Sequence, residues 1–327
     1  MTINLALIGC GGFVHHTHLA NLQKNPRFRV YATADINLEA SRAIADACGS
    51  AYSTDDIDRA INDPNVQLVF ISTPHHTHAD LSIRAARAGK HIYCEKPMGL
   101  TEEDCLAVID AVKTAGVQYI AGYNRGGAPF LLRARELLAK LAAPMLIQHR
   151  FADWNPYDRG WLIDESQSGG RIVGEGGHSL DMMCRLVGQN PVRLYAEGGN
   201  FAEPSPTHAP DSASIMVGFP DGSSGTLMLS SVGNNGYPKE EVVITCANHT
   251  IAIFGFERMV IYSSSGAEEF ILPAADKGHA AMLDQTADAI ECGTRPAAGL
   301  DEALRAARLT LAARRSIRTH TLQTLDC

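Results

Sequence analysis

Ile3-Asn4-Leu5-Ala6-Leu7-Ile8-Gly9-Cys10-Gly11-Gly12 decides the fold of this chain. Six mostly apolar residues suit a short buried strand, and the glycines after it suit a tight turn that lets backbone approach a ligand closely. A helical pattern follows over about 15–24 and stops near Asn25-Pro26, and a second strand pattern over about 28–34 leads to Asp35. Strand, glycine turn, helix and strand make a βαβ unit, whose helix N-terminus can hold a dinucleotide's phosphates. Gly9 and Gly11 take the first two places of G-x-G-x-x-G, and the third falls on Val14. An apolar residue there still packs helix on strand. Asp35 stands 21 positions beyond Val14. A carboxylate there accepts hydrogen bonds from an adenosine ribose and repels a 2′-phosphate, and Ile36-Asn37-Leu38 bring no arginine to bind one. The expected cofactor is therefore NAD rather than NADP. Asp35 also reads as a helix N-cap, and one carboxylate can serve both roles.

The alternation continues outward. A strand is expected over 66–71, a helix over about 78–88 closed by Gly89, and a strand over 91–94. Thr101-Glu102-Glu103-Asp104 opens a helix with an N-cap and early acids, and a strand follows over 118–121. Such βαβ repetition predicts a doubly wound parallel sheet. The rhythm changes near Gly122. A helix over about 129–141, a strand over 145–151 and successive strands over 192–272 follow, with a hairpin signal at Pro220-Asp221-Gly222-Ser223. Two helices, about 279–291 and 301–316, close the chain. The expected class is α/β: an N-terminal doubly wound parallel (Rossmann) sheet over 1–122, then an α+β domain over 123–327 with a mostly antiparallel sheet.

The chain has 327 residues, 45% of them hydrophobic and 20% charged, with a net charge of −8. That supports two packed domains and disfavours nucleic acid or an anionic membrane as partner. The opening residues show no basic-then-apolar leader, no apolar stretch is long enough to span a bilayer, and the eight cysteines form no C-x-x-C pair. A cytoplasmic protein with reduced thiols is expected.

Ile71-Ser72-Thr73-Pro74-His75 with His78, Ala88-Gly89-Lys90-His91, Cys94-Glu95-Lys96-Pro97, Gly122-Tyr123-Asn124-Arg125, and Gly169-Gly170-Arg171-Ile172 through His178 and Asp181 resemble the Gfo/Idh/MocA family of glucose–fructose oxidoreductases and inositol dehydrogenases. The resemblance covers essentially the whole chain. It implies a Rossmann domain, an open C-terminal sheet that binds substrate and builds homodimers or homotetramers, and C-terminal helices that pack back on the first domain. It also implies that Gly12, Phe13, Ser72, Thr73, Pro74, His75, His78, Glu95, Lys96 and Asn124 join Gly9, Gly11, Val14 and Asp35 around the cofactor.

Lys96 follows a parallel strand at its carboxyl end, where ligands bind in such sheets. A lysine there can take a substrate hydroxyl's proton as hydride leaves carbon, since burial and the positive nicotinamide both disfavour its charged form. The competing reading is a lysine that merely covers strand ends. Many members carry Asp four residues before the histidine matched by His178. That position here is Gly174, and Glu175 stands three before instead. Glu175 and His178 share a face in a regular helix, so Glu175 could orient His178 or touch substrate. The catalytic set expected is Lys96, His178 and Glu175.

His15-His16-Thr17-His18 and His75-His76-Thr77-His78 repeat four residues. Adjacent histidines on a helix point different ways and hydride transfer needs no metal, so no metal is expected. His15 is expected near the cofactor's phosphates or its nicotinamide side, and the remaining imidazoles as surface or capping groups. The loop Asp153-Trp154-Asn155-Pro156-Tyr157-Asp158-Arg159-Gly160-Trp161 mixes aromatic and polar groups, which suits sugars and polyols. Trp154, Trp161, Asn124 and Arg125 join Lys96, Glu175 and His178 as substrate-binding candidates. Each tryptophan equally reads as a loop anchor and Arg125 as a clamp. Glu203-Pro204-Ser205-Pro206-Thr207-His208-Ala209-Pro210 reads as an exposed loop. The expected activity is NAD-dependent oxidation of a secondary hydroxyl on a sugar, sugar derivative or cyclitol. The alternatives are redox-assisted glycoside elimination with recycled NAD, and a non-catalytic sensor, which would not need the intact lysine motif.

Overall fold

The computed structural model describes residues 2–154, 160–202 and 207–325. Its contacts divide the chain into two units. One comprises the chain up to Tyr123 together with His279–Leu304, the other Asn124–Gly278 together with the residues from Arg305.

The first unit is built on a parallel sheet. Its strands are β1 (Ile3–Ile8), β2 (Phe28–Ala34), β3 (Tyr52–Thr54), β4 (Leu68–Ile71), β5 (His91–Cys94) and β6 (Tyr119–Ala121), in the order β3-β2-β1-β4-β5-β6. The order reverses between β1 and β4, the switch point where such folds bind dinucleotides. Leu5, Ala6, Leu7, Ile8, Val69, Phe70 and Ile71 are wholly buried, as strands covered on both faces require. The covering helices are α1 (Leu19–Lys24), α2 (Leu38–Cys48), α3 (Ile57–Asn62), α4 (His78–Arg87) and α5 (Glu102–Ala115). Asn37 caps α2, Asp56 caps α3, and Thr101 with Asp104 forms a capping box on α5. β3 and α3 are additions to the sequence reading, which passed over segments of three and six residues.

The second unit carries α6 (Pro129–Leu141), α7 (Glu165–Ser168), α8 (Gly177–Val187) and a nine-stranded sheet. Its strands are β7 (Met145–Ala152), β8 (Arg193–Gly199), β9 (Ser212–Gly218), β10 (Ser224–Ser230), β11 (Glu240–Cys246), β12 (His249–Phe254), β13 (Arg258–Ser263), β14 (Gly266–Ile271) and β15 (Gln323–Thr324), in the order β14-β13-β12-β11-β7-β10-β9-β8-β15. Among the described strands of this sheet, only β7 and β10 pair in parallel. The expected hairpin joins β9 to β10, with Gly222 at φ +90° in its turn. One sheet face, with Ile147, Phe151, Ile215, Leu227 and Ile244, packs into a core with Leu131, Leu180 and Met183 from α6 and α8. The register puts Leu146, Met216, Met228 and Tyr262 on the opposite face, where they are exposed. Two further helices precede β15. α9 (His279–Cys292) belongs to the first unit, where Arg27 pairs with its Asp288 and Glu291. α10 (Leu300–Thr319) begins in the first unit and ends in the second.

Candidate active site

The chain turns at Gly9 with φ +87°, and a Cβ there would lie 2.3 Å from the Ser72 carbonyl oxygen. Glycine is therefore required twice over: for the left-handed backbone, and for the close approach of the turn after β1 to the turn after β4. Gly11 and Gly12 are exposed, and nothing occupies the space a Cβ on Gly11 would fill. Phe13 is half-buried and Val14 wholly buried. Asp35 follows β2. Its Oδ2 accepts from Cys10 N at 2.7 Å and its Oδ1 from Asn37 N at 2.8 Å, which ties the glycine turn to the end of β2. A carboxylate has about four acceptor positions, so each oxygen keeps capacity for a ribose hydroxyl. Burial and Asp35 push the neighbouring Cys10 thiol up to about 12, so it stays protonated. An open glycine face, a helix start and a carboxylate with spare acceptors fit a dinucleotide.

The carboxyl ends of β4 and β5 carry the remaining first-unit candidates. Ser72 N donates to Ile8 O at 2.8 Å, and the Thr73 and Thr77 hydroxyls meet at 2.6 Å above the Pro74 carbonyl, to which Thr77 donates. His75 is buried, with its ring 5.7 Å from that of His78. His78 is wholly buried, with Nδ1 2.7 Å from Pro97 O and Nε2 2.9 Å from Thr73 O. It thus bridges the two turns. Burial pushes its imidazole below the ordinary histidine range, against the pull of those carbonyls and of Glu95. Lys96 is half-buried two residues after the end of β5, and the Lys96–Pro97 bond is cis.

His18 corrects the sequence reading. It is neither a surface nor a capping group but is 1% exposed, and its Nε2 lies 2.8 Å from Glu95 Oε1. The cause is local: Val14–His18 is a π-helical turn, whose extra residue rotates His18 inward while His15 and His16 stay exposed. Sequence periodicity carries no signal for such a turn.

In the second unit, Asn124 and Arg125 are engaged within the protein. The Asn124 amide donates to Lys277 O at 2.8 Å. Arg125 grips buried Glu240 through Nε (2.9 Å) and Nη2 (2.7 Å), and Lys277 Nζ adds a third contact at 2.6 Å. Burial opposes ionisation of Glu240, but Arg125, His149 and Lys277 hold its carboxyl well below the usual range. Neither Glu240 nor Lys277 stood out in the sequence, because their link to Arg125 spans more than a hundred residues. His178 is buried on α8. Glu175 belongs to a separate π-helical turn, Ile172–Gly176, so regular helical spacing does not govern its relation to His178. Its Oε1 lies 3.8 Å from Arg171 Nη1, and Arg171 also reaches Asp153. Asp181 is taken by Arg185 and Arg305. Trp154 is exposed and Trp161 half-buried. Residues 155–159 and 203–206 lie outside the described residues. Among those described, no group of three or more His, Cys, Asp or Glu side chains is arranged to hold a metal.

Together the parallel sheet, the glycine turn at its switch point and the carboxylate after β2 define a dinucleotide-binding Rossmann scaffold. The family model for the Gfo/Idh/MocA oxidoreductases with an NAD-binding Rossmann fold matches residues 3–123, and the model for the GFO/IDH/MocA C-terminal domain matches 131–259. The chain belongs to this family and is an NAD-binding oxidoreductase. It is 29% identical over 293 residues to levoglucosan dehydrogenase of Pseudarthrobacter phenanthrenivorans, covering 78% of this chain and 74% of that one. It is 26% identical to inositol 2-dehydrogenase of Rhizobium meliloti, covering 97% of each. Its fold aligns with the aldose-aldose oxidoreductase from Caulobacter crescentus at a TM-score of 0.90 and 23% identity, covering 99% of this chain and 100% of that one. No helix among the described residues is long and apolar enough to cross a membrane.

Proposed function

We propose that the protein oxidises a secondary hydroxyl of a sugar, sugar derivative or cyclitol, with Lys96 as the acid/base. The observation that carries this reading is placement. Lys96 and the Gly9 turn stand on the carboxyl edge of one parallel sheet, where such sheets bind ligands. Bound NAD supplies the hydride acceptor. Gly9, Gly11, Gly12, Phe13 and Val14 hold its phosphates, Asp35 its ribose, and the turns holding Ser72, Thr73, Pro74, His75, His78 and Glu95 its remaining length. Lys96 accepts the hydroxyl proton as hydride leaves the carbon, so that the C–O bond becomes C=O without building a protonated carbonyl. His178 and Glu175 bind and orient the hydroxyls, with Trp154 and Trp161 packing against the sugar's C–H faces. Asn124 and Arg125 shape the substrate region indirectly, through their contacts with Lys277 and Glu240. The relatives named for levoglucosan and inositol support this substrate class. The exposed sheet face with Leu146, Met216, Met228 and Tyr262 is the proposed surface for a homodimer or homotetramer, and light scattering that returned a monomer's mass would contradict it.

The test is reduced-cofactor formation with NAD and NADP across inositols, aldoses, anhydrosugars, uronates and glycosides, with product analysis. Turnover of one of the first four classes with NAD supports the reading. Glycoside cleavage without net NADH assigns redox-assisted elimination instead, and no reaction with any member rejects both.

A further inference from the structure

The π-helical turn after the glycines has a chemical consequence beyond phosphate binding. It drives His18 into the interior, among Phe13, Phe70 and Tyr93, with its ring 6.0 Å from that of His279. There its Nε2 meets Glu95 Oε1 at 2.8 Å, and among the described residues its Nδ1 has no hydrogen-bond partner. Glu95 is itself buried. Burial opposes its ionisation, yet the His18 hydrogen bond, with Lys96 and His279 nearby, holds its carboxyl below the usual range. It is therefore a carboxylate, and His18 Nε2 must donate to it.

The carboxylate is held in place from three sides. His18 grips one oxygen, and the Lys96 backbone N lies 3.3 Å from the other, Oε2. On the third side is Gly122 at the end of β6, where an added Cβ would sit 2.6 Å from Oε2. Tyr93 adds a phenol, pushed up by burial and by the charge of Glu95. A buried ion of this kind adds little net stability, because apolar residues of similar volume often do as well. Its position one residue before Lys96 gives it another use.

We propose that His18 and Glu95 form a positioning couple for Lys96: His18 fixes the Glu95 carboxylate, and the carboxylate fixes the Lys96 backbone and supplies the negative charge beside which its amine binds and releases a proton. The inference rests on the acid/base reading of Lys96. The groups bearing on this carboxylate and on Lys96 are His18 from the π-helical turn, His78 from α4, Tyr93 and Cys94 from β5, and His279 from α9.

The test reads the amine without substrate or cofactor. The full-length protein is labelled with acetic anhydride at stepped pH, and Lys96 is followed by peptide mass spectrometry with exposed Lys113 as internal reference. Glu95→Gln removes a charge that favours the ammonium form. Half-labelling at Lys96 moves to lower pH, while that at Lys113 stays put. His18→Phe deprives the carboxylate of its donor and moves Lys96 the same way. His18→Gln keeps an amide donor and restores most of the wild-type value. Unmoved half-labelling in the folded variants overturns the proposal, as does failure of both Glu95→Gln and His18→Phe to fold, which would make the pair purely structural. If Lys96→Ala proves fully active, the acid/base reading fails while a labelling shift still stands, so the two failures are distinguishable.

Discussion

Each unit buries one glutamate as an ion, and the two are paired very differently. Glu240 on β11 has a guanidinium fork from Arg125, the Lys277 ammonium and the His149 ring around it. Glu95 after β5 meets the His18 ring, the Lys96 backbone N–H and the Tyr93 phenol, with Lys96 and His279 also bearing on its charge. Glu240 is surrounded by more positive charge than it carries, so its field is spent within the cluster. It fastens the chain where it leaves β6 to the segment just before α9. Glu95 is held by a histidine and a backbone N–H rather than by an arginine fork, and that backbone N–H belongs to Lys96. An arginine fork suits a clasp, and a carboxylate held by a histidine and its neighbour's backbone suits a residue that positions that neighbour.

That contrast can be broken most forcefully at Arg125. Truncation to Ala leaves Glu240 buried with Lys277 as its remaining close cation. Urea unfolding should show a loss of about 3–5 kcal/mol, as expected when one partner of a buried ion pair is removed. A loss below about 1 kcal/mol would mean that the Glu240 cluster is no clasp. Gly122→Ala makes a smaller intrusion. Its methyl group would press on the Glu95 carboxylate, 2.6–2.9 Å from its atoms, costing about 1–3 kcal/mol by overpacking. An unchanged midpoint would show that the carboxylate has room to move.

The mildest test sharpens the comparison by pH. Both carboxyls are depressed in the folded state, Glu240 further than Glu95. A depressed carboxyl contributes stability above its unfolded value of about 4.3, and that contribution is lost as pH falls through the folded value. Stability should therefore drop in acid, and it should drop less steeply in Glu240→Gln than in Glu95→Gln. Equal slopes in chemical denaturation series run from pH 6 downward would erase the distinction.

Much of this was legible in the chain because local chemistry fixed it. Gly9, the capping residues at Thr101 and Asp104, and the apolar strand runs each act on their own neighbours, and the parallel order follows from repeating them. The class of the second sheet was readable from its strand rhythm, with the hairpin at Gly222 marking one turn. Other features depended on geometry that spacing does not encode. A π-helical turn separates buried His18 from exposed His15 and His16, although all three belong to one run of four residues. The same kind of turn ends between Glu175 and His178. Arg125 reads equally as a substrate ligand and as a clamp, because its partner, Glu240, lies 115 positions away. β3 and α3 are too short to generate a period.

Single-turnover stopped-flow tests the role of Lys96 most directly. The substrate identified in the panel is mixed with NAD-loaded enzyme, and absorbance of the reduced nicotinamide is followed for wild type and Lys96→Ala. A positioned general base contributes on the order of 10²–10⁴-fold. The variant should bind NADH as wild type does, form reduced cofactor about 10³-fold more slowly, and regain rate when methylamine is added. A variant that completes its first turnover at the wild-type rate, with no response to amine, would contradict the assignment.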